Sequence, residues 1–338
     1  MIAPKHIIIA LASSLLISFS SLTAQVSVAT DPVGFISTTI YGNNGSGQRL
    51  TLISPTFHAE NEVVGLVDGI SASSVLVSTS LVSGAYDNGL YYIEVVSNDG
   101  TGYWTDIISN SANEVFVNDD LSSFVEIGDT FYIRKHLTIG DLFGPQNKVG
   151  LKAGSDISVA DNIRVISFSE GISESYIYWY ANVPNFEGWY DASFNPSENA
   201  IIAPHEGIIV ARKASADLQI TFYGSVRTNN INFPIESGLN VLSVPSALKR
   251  TLSTSGLSDG ISAGSNSSEA DNIRIIDSNG NSRIYWYSNV PDFEGWYDTS
   301  FNSSGDVELM PGTSFIFFRK ANNGDAFNLS MFSEIPQN

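Results

Sequence analysis

The sequence predicts an all-β protein made of tandem antiparallel β-sandwich or barrel-like modules, with at most one or two short helices. Runs such as Tyr176 to Tyr180 place large side chains on both faces with a period of two, which is typical of strands. Charged residues make up only 15% of the chain, and Ser, Asn, Gly and Thr supply its polarity. This composition favours strands and tight turns over helices. Helical signal is confined to residues 137–143 and 247–252, where we expect one or two turns each.

Two turn-forming residue pairs predict the tips of β-hairpins. Asn279-Gly280 separates the apolar residues 275–276 from residues 284–285, and Asp99-Gly100 separates residues 91–96 from residues 103–108. Asn-Gly and Asp-Gly favour two-residue turns because these residues tolerate a positive φ. We therefore expect an antiparallel pair of strands at each of these places.

The N-terminus predicts a secretion signal. Lys5 and His6 precede an apolar run at residues 7–22, and small residues suit cleavage after Ala24 or as late as Ala29. A membrane anchor is the alternative, but the run is interrupted by serines and is shorter than the roughly 20 apolar residues that a membrane span needs. We therefore expect loss of residues 1–24, no membrane span afterwards, and export to the periplasm, outer surface or surroundings of the cell.

Charge and cysteine content narrow the classes of partner and cofactor. The chain has 16 Lys and Arg against 35 Asp and Glu, a formal charge of −19, and no cysteine. Nucleic acid is excluded as a partner because phosphate binding needs clustered Lys and Arg. A thiolate metal site is excluded as well. We expect no cofactor and no metal, and the expected partners are an extracellular polysaccharide or other surface proteins.

An internal repeat dominates the second half of the chain. Residues 177–195 and 284–302 differ at three positions, and residues 150–166 match residues 260–276 more loosely. The offset between the copies falls from 110 to 107 residues across the loop that separates these segments. A change of length at one loop between well-matched flanks is what a hairpin tip permits.

Weaker echoes extend the repetition and suggest the module boundaries. Residues 124–135, 202–213 and 308–320 each combine a Gly-containing turn, an apolar strand and Arg-Lys, while residues 32–55 faintly resemble residues 224–245. Three related modules are therefore expected, the first being the most divergent. The predicted boundaries are 30–135 for the divergent N-terminal module and 136–223 and 224–338 for the two β-repeat modules.

Several motifs resemble those of one family. They are the segment Asp31 to Phe35, the run Phe131 to Gly144, and the recurring Ala-Asp-Asn-Ile-Arg and Arg-Lys sequences. With these motifs the chain resembles an uncharacterised family of exported proteins, found as paralogues in Verrucomicrobia and related bacteria. The resemblance implies export from a Gram-negative cell and brings no catalytic residue with it.

The duplicated segment Phe-Glu-Gly-Trp-Tyr-Asp, at residues 186–191 and 293–298, is the main candidate site. Two carboxylates beside aromatic rings are typical of glycosidases, in which the two groups lie roughly 5–10 Å apart. A structural corner is favoured, in which the glycine lets the chain turn, the tryptophan packs on the core and the aspartate binds turn amides. Stacking of the rings on a sugar is the remaining alternative. The candidate binding residues are Glu187, Trp189, Tyr190 and Asp191, with Glu294, Trp296, Tyr297 and Asp298 in the second copy.

Other motifs fit their sites poorly. Gly256 to Gly260 matches the Gly-x-Ser-x-Gly pattern but lacks the strand before it and the helix after it. Asp277 to Asn281 begins like a calcium loop, yet the twelfth position is Ser288 instead of glutamate. His58, His136 and His205 do not recur between modules, so a histidine metal or acid–base site is not expected.

Duplication favours binding over catalysis, since an active site is normally built once. We expect an exported, non-catalytic structural or adhesive surface protein, with glycan binding through the repeated aromatic motifs as its candidate activity. The alternative is a secreted carbohydrate-active hydrolase that uses the Glu and Asp of the two motifs. A single cleft with two facing carboxylates would favour the hydrolase, whereas equivalent surfaces on both copies would favour display.

Overall fold

A computed structural model describes residues 32–45, 47–169, 172–320 and 327–332. The predicted signal at residues 1–24, and both predicted cleavage positions, lie outside this range. The described chain consists mostly of antiparallel sheets with one short α-helix and includes a closed barrel, which confirms the predicted fold class. None of its helices is long and apolar enough to cross a membrane.

The strands follow in chain order. The first two are β1 (Val33–Ile40) and β2 (Arg49–Ile53). Six more follow: β3 (Asn61–Ser71), β4 (Ser74–Val77), β5 (Tyr91–Val95), β6 (Trp104–Asn110), β7 (Glu114–Val117) and β8 (Thr130–Lys135). The next group is β9 (Leu137–Thr138), α1 (Ile139–Phe143), β10 (Asn162–Ser169), β11 (Ile172–Val183), β12 (Phe186–Asp191), β13 (Ile201–Ile202), β14 (Ile208–Arg212) and β15 (Leu218–Ser225). The last is β16 (Ile231–Ile235), β17 (Gly238–Ser243), β18 (Arg250–Thr251), β19 (Asn272–Ile276), β20 (Ser282–Ser288), β21 (Gly295–Asp298), β22 (Glu308–Leu309), β23 (Ser314–Arg319) and β24 (Phe327–Met331).

Strand pairing groups these elements into a barrel and two repeats. The barrel closes in the order β3-β4-β7-β6-β5-β8. The first repeat contains β1, β2 and β9 to β15, with a five-stranded sheet ordered β12-β11-β10-β14-β2. The second repeat contains β16 to β24, and its sheet is ordered β17-β23-β19-β20-β21. The two sheets therefore use equivalent strands in equivalent positions.

The barrel is inserted into the first repeat. β1 pairs with β15 along its whole length, from Val33↔Ser225 to Ile40↔Leu218, and β2 pairs with β14. The sequence-based boundaries place residues 30–135 in one N-terminal module, whereas the pairing joins residues 33–53 to the first repeat. The faint echo between residues 32–55 and 224–245 has the same origin, because β1 and β2 are the counterparts of β16 and β17.

The predicted hairpin tips are flanked by paired strands, whereas only one of the two predicted helical segments forms an α-helix. β5 pairs with β6 and β19 pairs with β20, so strands flank both of the predicted hairpin tips. α1 forms within residues 137–143, where Thr138 and Asp141 make a capping box. Residues 247–252 form no α-helix; β18 occupies residues 250–251 and a 3-10 turn follows at Leu252–Thr254.

Buried ion pairs account for the recurring Ala-Asp-Asn-Ile-Arg and Arg-Lys motifs. Asp161 lies 2.6 Å from the Arg212 guanidinium, and in the second repeat Asp271 lies 2.9 Å from Arg319. All four side chains are buried. Charges taken out of water need such partners, so each carboxylate fixes the end of the β14 or β23 strand. These motifs are therefore structural.

Each repeat forms a backbone bridge to an equivalent position of the other repeat. Ile53, the last residue of β2, bridges to Thr313, and Leu242 near the end of β17 bridges to Glu206. Thr313 and Glu206 occupy equivalent positions, 107 residues apart, so the junction is self-complementary like that of a two-fold dimer. β12 and β21 consequently form the outermost strands of their sheets, away from the junction.

Candidate functional site

The predicted corner motif is a strand, and the prediction of a chain turn at its glycine is wrong. Residues 186–191 form β12, paired with β11 from Val183↔Phe186 to Tyr178↔Asp191. In the second copy β21 repeats the pairing of the last four residues against β20, from Ser288↔Gly295 to Tyr285↔Asp298, and Phe293 and Glu294 precede the strand. Because side chains alternate across a strand, the six residues divide between two faces of the hairpin.

One face of each hairpin points to the core. Trp189 and Trp296 are only 2% and 3% exposed and belong to the cores of their repeats. Tyr180 packs edge-on against Trp189 with ring centroids 5.2 Å apart, and Tyr287 does so against Trp296 at 5.4 Å. The two tryptophans predicted as contacts are therefore core residues in this structure and present no ring to a ligand.

The acidic residues of the motif lie on the same side of the strand as the tryptophans. Asp191 accepts hydrogen bonds from the backbone amides of Ser193 and Asn195 at 2.8 and 2.9 Å and from the Asn195 side chain at 2.9 Å. Burial alone would raise the pKa of Asp191, but the hydrogen bonds from Asn195 and Ser193 outweigh it and lower the pKa. The carboxylate is therefore ionised and occupied by its own turn.

The second copy repeats this arrangement. Asp298 accepts from the amides of Ser300 and Asn302 at 2.8 and 2.9 Å, and its pKa is lowered chiefly by the side-chain hydrogen bond from Asn302. Glu187 and Glu294 are both exposed. A glycosidase acid needs a raised pKa, so neither aspartate is suited to that role. The carboxylates of the two copies therefore lie in equivalent environments.

The opposite face of each hairpin forms an aromatic cleft. In the first repeat it is lined by residues of β11 and β12, the turn after β12 and one distant serine: Ser155, Trp179, Ala181, Val183, Phe186, Tyr190 and Phe194. The second cleft is lined by the seven equivalent residues and one further serine: Ser265, Trp286, Ser288, Val290, Phe293, Tyr297, Phe301 and Ser303. The cleft volumes are about 240 and 510 Å³. A cleft with equivalent lining residues is thus built twice, and the second copy is the larger.

A buried tryptophan forms the base of each cleft. Trp179 is 1% exposed and donates its indole N–H to the carbonyl oxygen of Asp191 at 3.0 Å. Phe194 meets it edge-on at a centroid distance of 5.3 Å, and Tyr190 lies at 6.0 Å. In the second cleft Phe301 and Tyr297 lie 5.5 and 5.8 Å from the equivalent indole ring. The rings hold one another at distances typical of aromatic pairs.

Two phenylalanines form the exposed walls of each cleft. Phe186 and Phe293 are each 63% exposed, and Phe194 and Phe301 are 58% and 61% exposed. Phe186 follows the two-residue hairpin tip at Pro184-Asn185, where Asn185 has φ 71°, as at the third position of a type II turn. Each cleft therefore opens to solvent between two rings.

The backbone at Phe194 and Phe301 is left-handed, with φ of 64° and 61°. This conformation is uncommon for residues other than glycine and a genuine outlier for a bulky one. It costs roughly 1–3 kcal/mol, and such strain collects at ligand clamps and active sites. Asp191 and Asp298 bind the amides on either side of these phenylalanines, so the acidic residue of the motif holds the wall of the cleft in place.

A glycine keeps the space between the walls open. Gly188 lies between Phe186 and Tyr190 on the cleft face and pairs with Ala181 on the neighbouring strand. Its φ is 151°, a conformation that residues with side chains rarely adopt. Gly295 repeats the arrangement with φ 141°, and a Cβ there would meet no atom within 4 Å. A larger residue at either position would enter the cleft.

The structure places the predicted site residues in two groups. Tyr190 and Tyr297 line the clefts, whereas the tryptophans and carboxylates of the motif face the other way. The sequence analysis missed Phe194 and Phe301, although the duplicated segments extend far enough to include them. An alternation of period two along residues 186–191 would have assigned the cleft-facing and core-facing residues to opposite sides of a strand. The prediction of a turn in this segment prevented that assignment.

His136 and His205 lie in different surroundings. His136 Nε2 lies 2.9 Å from Asp106, whereas His205 stacks on Trp104 with ring centroids 5.4 Å apart. Among the residues that the structure describes, no group of three or more His, Asp or Glu side chains is placed to hold a metal ion.

Comparisons with protein-family models, curated proteins and solved structures find no match to this chain. The family resemblance drawn from the motifs stays a prediction.

Proposed function

We propose that this chain is an exported, non-catalytic surface protein that binds an extracellular polysaccharide in two equivalent aromatic clefts. The observation that carries the proposal is the repetition of a strained, exposed phenylalanine beside a buried tryptophan. Strain of this kind is kept where the ring position matters. Phe194 and Phe301 would act as the walls that clamp the ligand.

The chemistry of the clefts favours a ring with apolar faces and polar edges. Phe186, Phe194 and Tyr190 offer ring surface to the C–H face of a pyranose, and Ser155 offers a hydroxyl at the margin. The formal charge of −19 would repel an anionic polymer at low salt. A neutral polysaccharide is therefore the preferred ligand, and an apolar segment of another surface protein is the competing one.

Affinity electrophoresis tests this function with the complete exported chain in gels that contain neutral glucans, mannans or xylans. We expect the protein to be retarded by at least one of these polymers. The double variant Phe194→Asn with Phe301→Asn should migrate as in a gel without polymer. Ile127→Asn, which changes a similarly exposed apolar residue in the loop between β7 and β8, is the matched control and should be retarded like the unaltered protein. Retardation of the double variant would refute the clefts as the binding site.

A further inference from the structure

A second, different groove lies where the barrel is inserted into the first repeat. The chain leaves the repeat at His58 to Glu60 and returns at Lys135 to Leu137, and both segments face the end of the β1/β15 ribbon. The space between them has a volume of about 350 Å³, within the range of roughly 300–1,000 Å³ for small-molecule sites. Besides these two segments, the lining consists of Val33, Asp141, Leu142 and residues 221–225.

Two buried polar atoms at this groove have no hydrogen-bond partner among the described residues. They are Nδ1 of His136, whose Nε2 is held by Asp106 at 2.9 Å, and Oγ of Ser225. The two residues are 2% and 1% exposed. Buried polar groups are paired in the great majority of cases, with protein or with ordered water. Nδ1 of His136 and Oγ of Ser225 therefore leave hydrogen-bonding capacity for a molecule held beside them.

An aromatic platform lies beside these atoms. Tyr223 is 78% exposed and pairs across the ribbon with Phe35, which is 77% exposed. Alternation along β15 places the Ser225 side chain on the same face as the Tyr223 ring. A flat ring next to a buried hydroxyl is suited to a ligand with one apolar face and polar edges.

The charged groups around the groove nearly balance. Lys135 lies 3.8 Å from Asp141, and both are partly exposed. Glu60 adds one exposed carboxylate. Burial lowers the pKa of His58 to about 3, so this histidine adds no positive charge at neutral pH. Donors and acceptors are both present without a strong field of either sign, which favours a neutral ligand over an ion.

We propose that this groove binds a single neutral sugar ring, which stacks on Tyr223 and exchanges hydrogen bonds with Ser225, His136 and the carboxylates at the rim. Among the described residues, only the first repeat carries an insertion, so the groove has no counterpart in the second repeat. There the barrel contacts the counterpart of β1 directly: the Asn232 amide donates to Gly102 at 3.0 Å, and the Trp104 indole donates to Asn232 at 3.2 Å. This site is therefore separate from the twin clefts and does not depend on their function.

Saturation-transfer NMR and calorimetric titration of the exported chain with D-glucose, D-galactose, D-mannose and N-acetyl-D-glucosamine test the proposal. We expect at least one of these sugars to bind with a millimolar dissociation constant. Tyr223→Ala should weaken binding at least tenfold and Ser225→Ala several-fold, while Tyr223→Phe should leave binding unchanged. Circular dichroism checks that each variant is folded, and Tyr223 is exposed enough for its substitution to leave the core intact.

The clefts provide the control that separates the two sites. The Phe194→Asn and Phe301→Asn double variant removes any sugar held in the clefts and should retain the binding that depends on Tyr223. Failure of all four sugars to bind would overturn the proposal, as would binding that Tyr223→Ala leaves unchanged. Loss of sugar binding in the double cleft variant would assign the sugar to the clefts and overturn the proposal equally.

Discussion

At the scale of single residues, backbone strain distinguishes Phe194 and Phe301 from residues that only pack against the core. Phe194 and Phe301 hold a left-handed conformation and expose most of their rings, so burial repays little of their strain. An aromatic edge contact contributes about 0.5–1.5 kcal/mol, roughly what the left-handed backbone costs. The rings are therefore positioned at almost no gain in stability.

Replacement of Phe194 by asparagine tests whether the strain is real. Asparagine tolerates a positive φ, so relief of strain should offset the lost ring contact and keep the free energy of unfolding within about 1 kcal/mol of the unaltered protein. Phe186→Asn is the matched control, because Phe186 is equally exposed but lies in an ordinary strand conformation. Urea denaturation followed by circular dichroism should show the larger loss for Phe186→Asn. The reverse order would mean that Phe194 is a packing residue.

The two core tryptophans differ by one hydrogen bond. Trp189 donates its indole N–H to the carbonyl oxygen of Gly144 at 2.8 Å, whereas the buried indole nitrogen of Trp296 has no partner among the described residues. Trp189→Phe should therefore lower the free energy of unfolding by about 1 kcal/mol more than Trp296→Phe, since only the first breaks a hydrogen bond. Equal losses in calorimetric or urea unfolding would contradict this assignment.

At the scale of elements, the loops before β14 and β23 join the two repeats. The Gly207 amide donates to Val241 at 2.8 Å and the Ser243 amide donates to His205 at 2.9 Å. Glu206, between them, is buried and accepts hydrogen bonds from the Ser167 hydroxyl and the Ala203 amide. Its counterpart in the second repeat is Thr313, which cannot ionise, so the junction carries this buried carboxyl on one side only.

The pH dependence of stability should report Glu206. Burial raises its pKa to about 7, and the hydrogen bonds from Ser167 and Ala203 oppose the rise only in part. Between its ordinary value of 4.5 and 7, the folded state keeps a proton that the unfolded state has lost, so stability falls as pH rises. Glu206→Gln, which imitates the protonated form, should be the more stable protein at pH 8, by up to about 3 kcal/mol.

Thermal unfolding from pH 5 to pH 8 measures this effect as the difference between Glu206→Gln and the unaltered protein. The difference should be small at pH 5 and should grow towards pH 8. Burial lowers the pKa of His205 to about 4, so this histidine adds its own pH dependence below pH 6.5. That contribution is common to both proteins and cancels in the difference. A difference that stays constant across this range would show that Glu206 does not titrate there.

At the scale of the whole molecule, the chain presents one pair of equivalent clefts. β12 and β21 are the edge strands of the two sheets on the side away from the junction. The two clefts therefore lie at opposite ends of the combined strand order, and each is formed by equivalent strands. Linked sites of this kind raise avidity without any new contact when one ligand spans both. A polymer is the ligand that gains from this arrangement.

The sequence predicted the repeated units, but it did not predict that the barrel is inserted into the first repeat. Period-two runs and the duplicated segments gave the strands, since alternation and turn chemistry are local. The pairing of β1 with β15 joins residues nearly two hundred positions apart, and only the faint echo of residues 32–55 pointed to it. The strain at Phe194 depends on the hydrogen bonds that Asp191 accepts from the amides of Ser193 and Asn195. Binding of turn amides by this aspartate was predicted, but no propensity of phenylalanine indicates that its ring stands in that turn. The cleft was therefore located by the structure.

Binding of a neutral polysaccharide by single-cleft variants tests the central claim most directly. Phe194→Asn and Phe301→Asn, each alone, should weaken binding to an immobilised polymer by about 10²-fold or more, because each removes one of two linked sites. The double variant should show no binding, and a short oligosaccharide that fits one cleft should bind each single variant as it binds the unaltered protein, with half the number of sites. Full polymer affinity in either single variant would contradict two linked clefts.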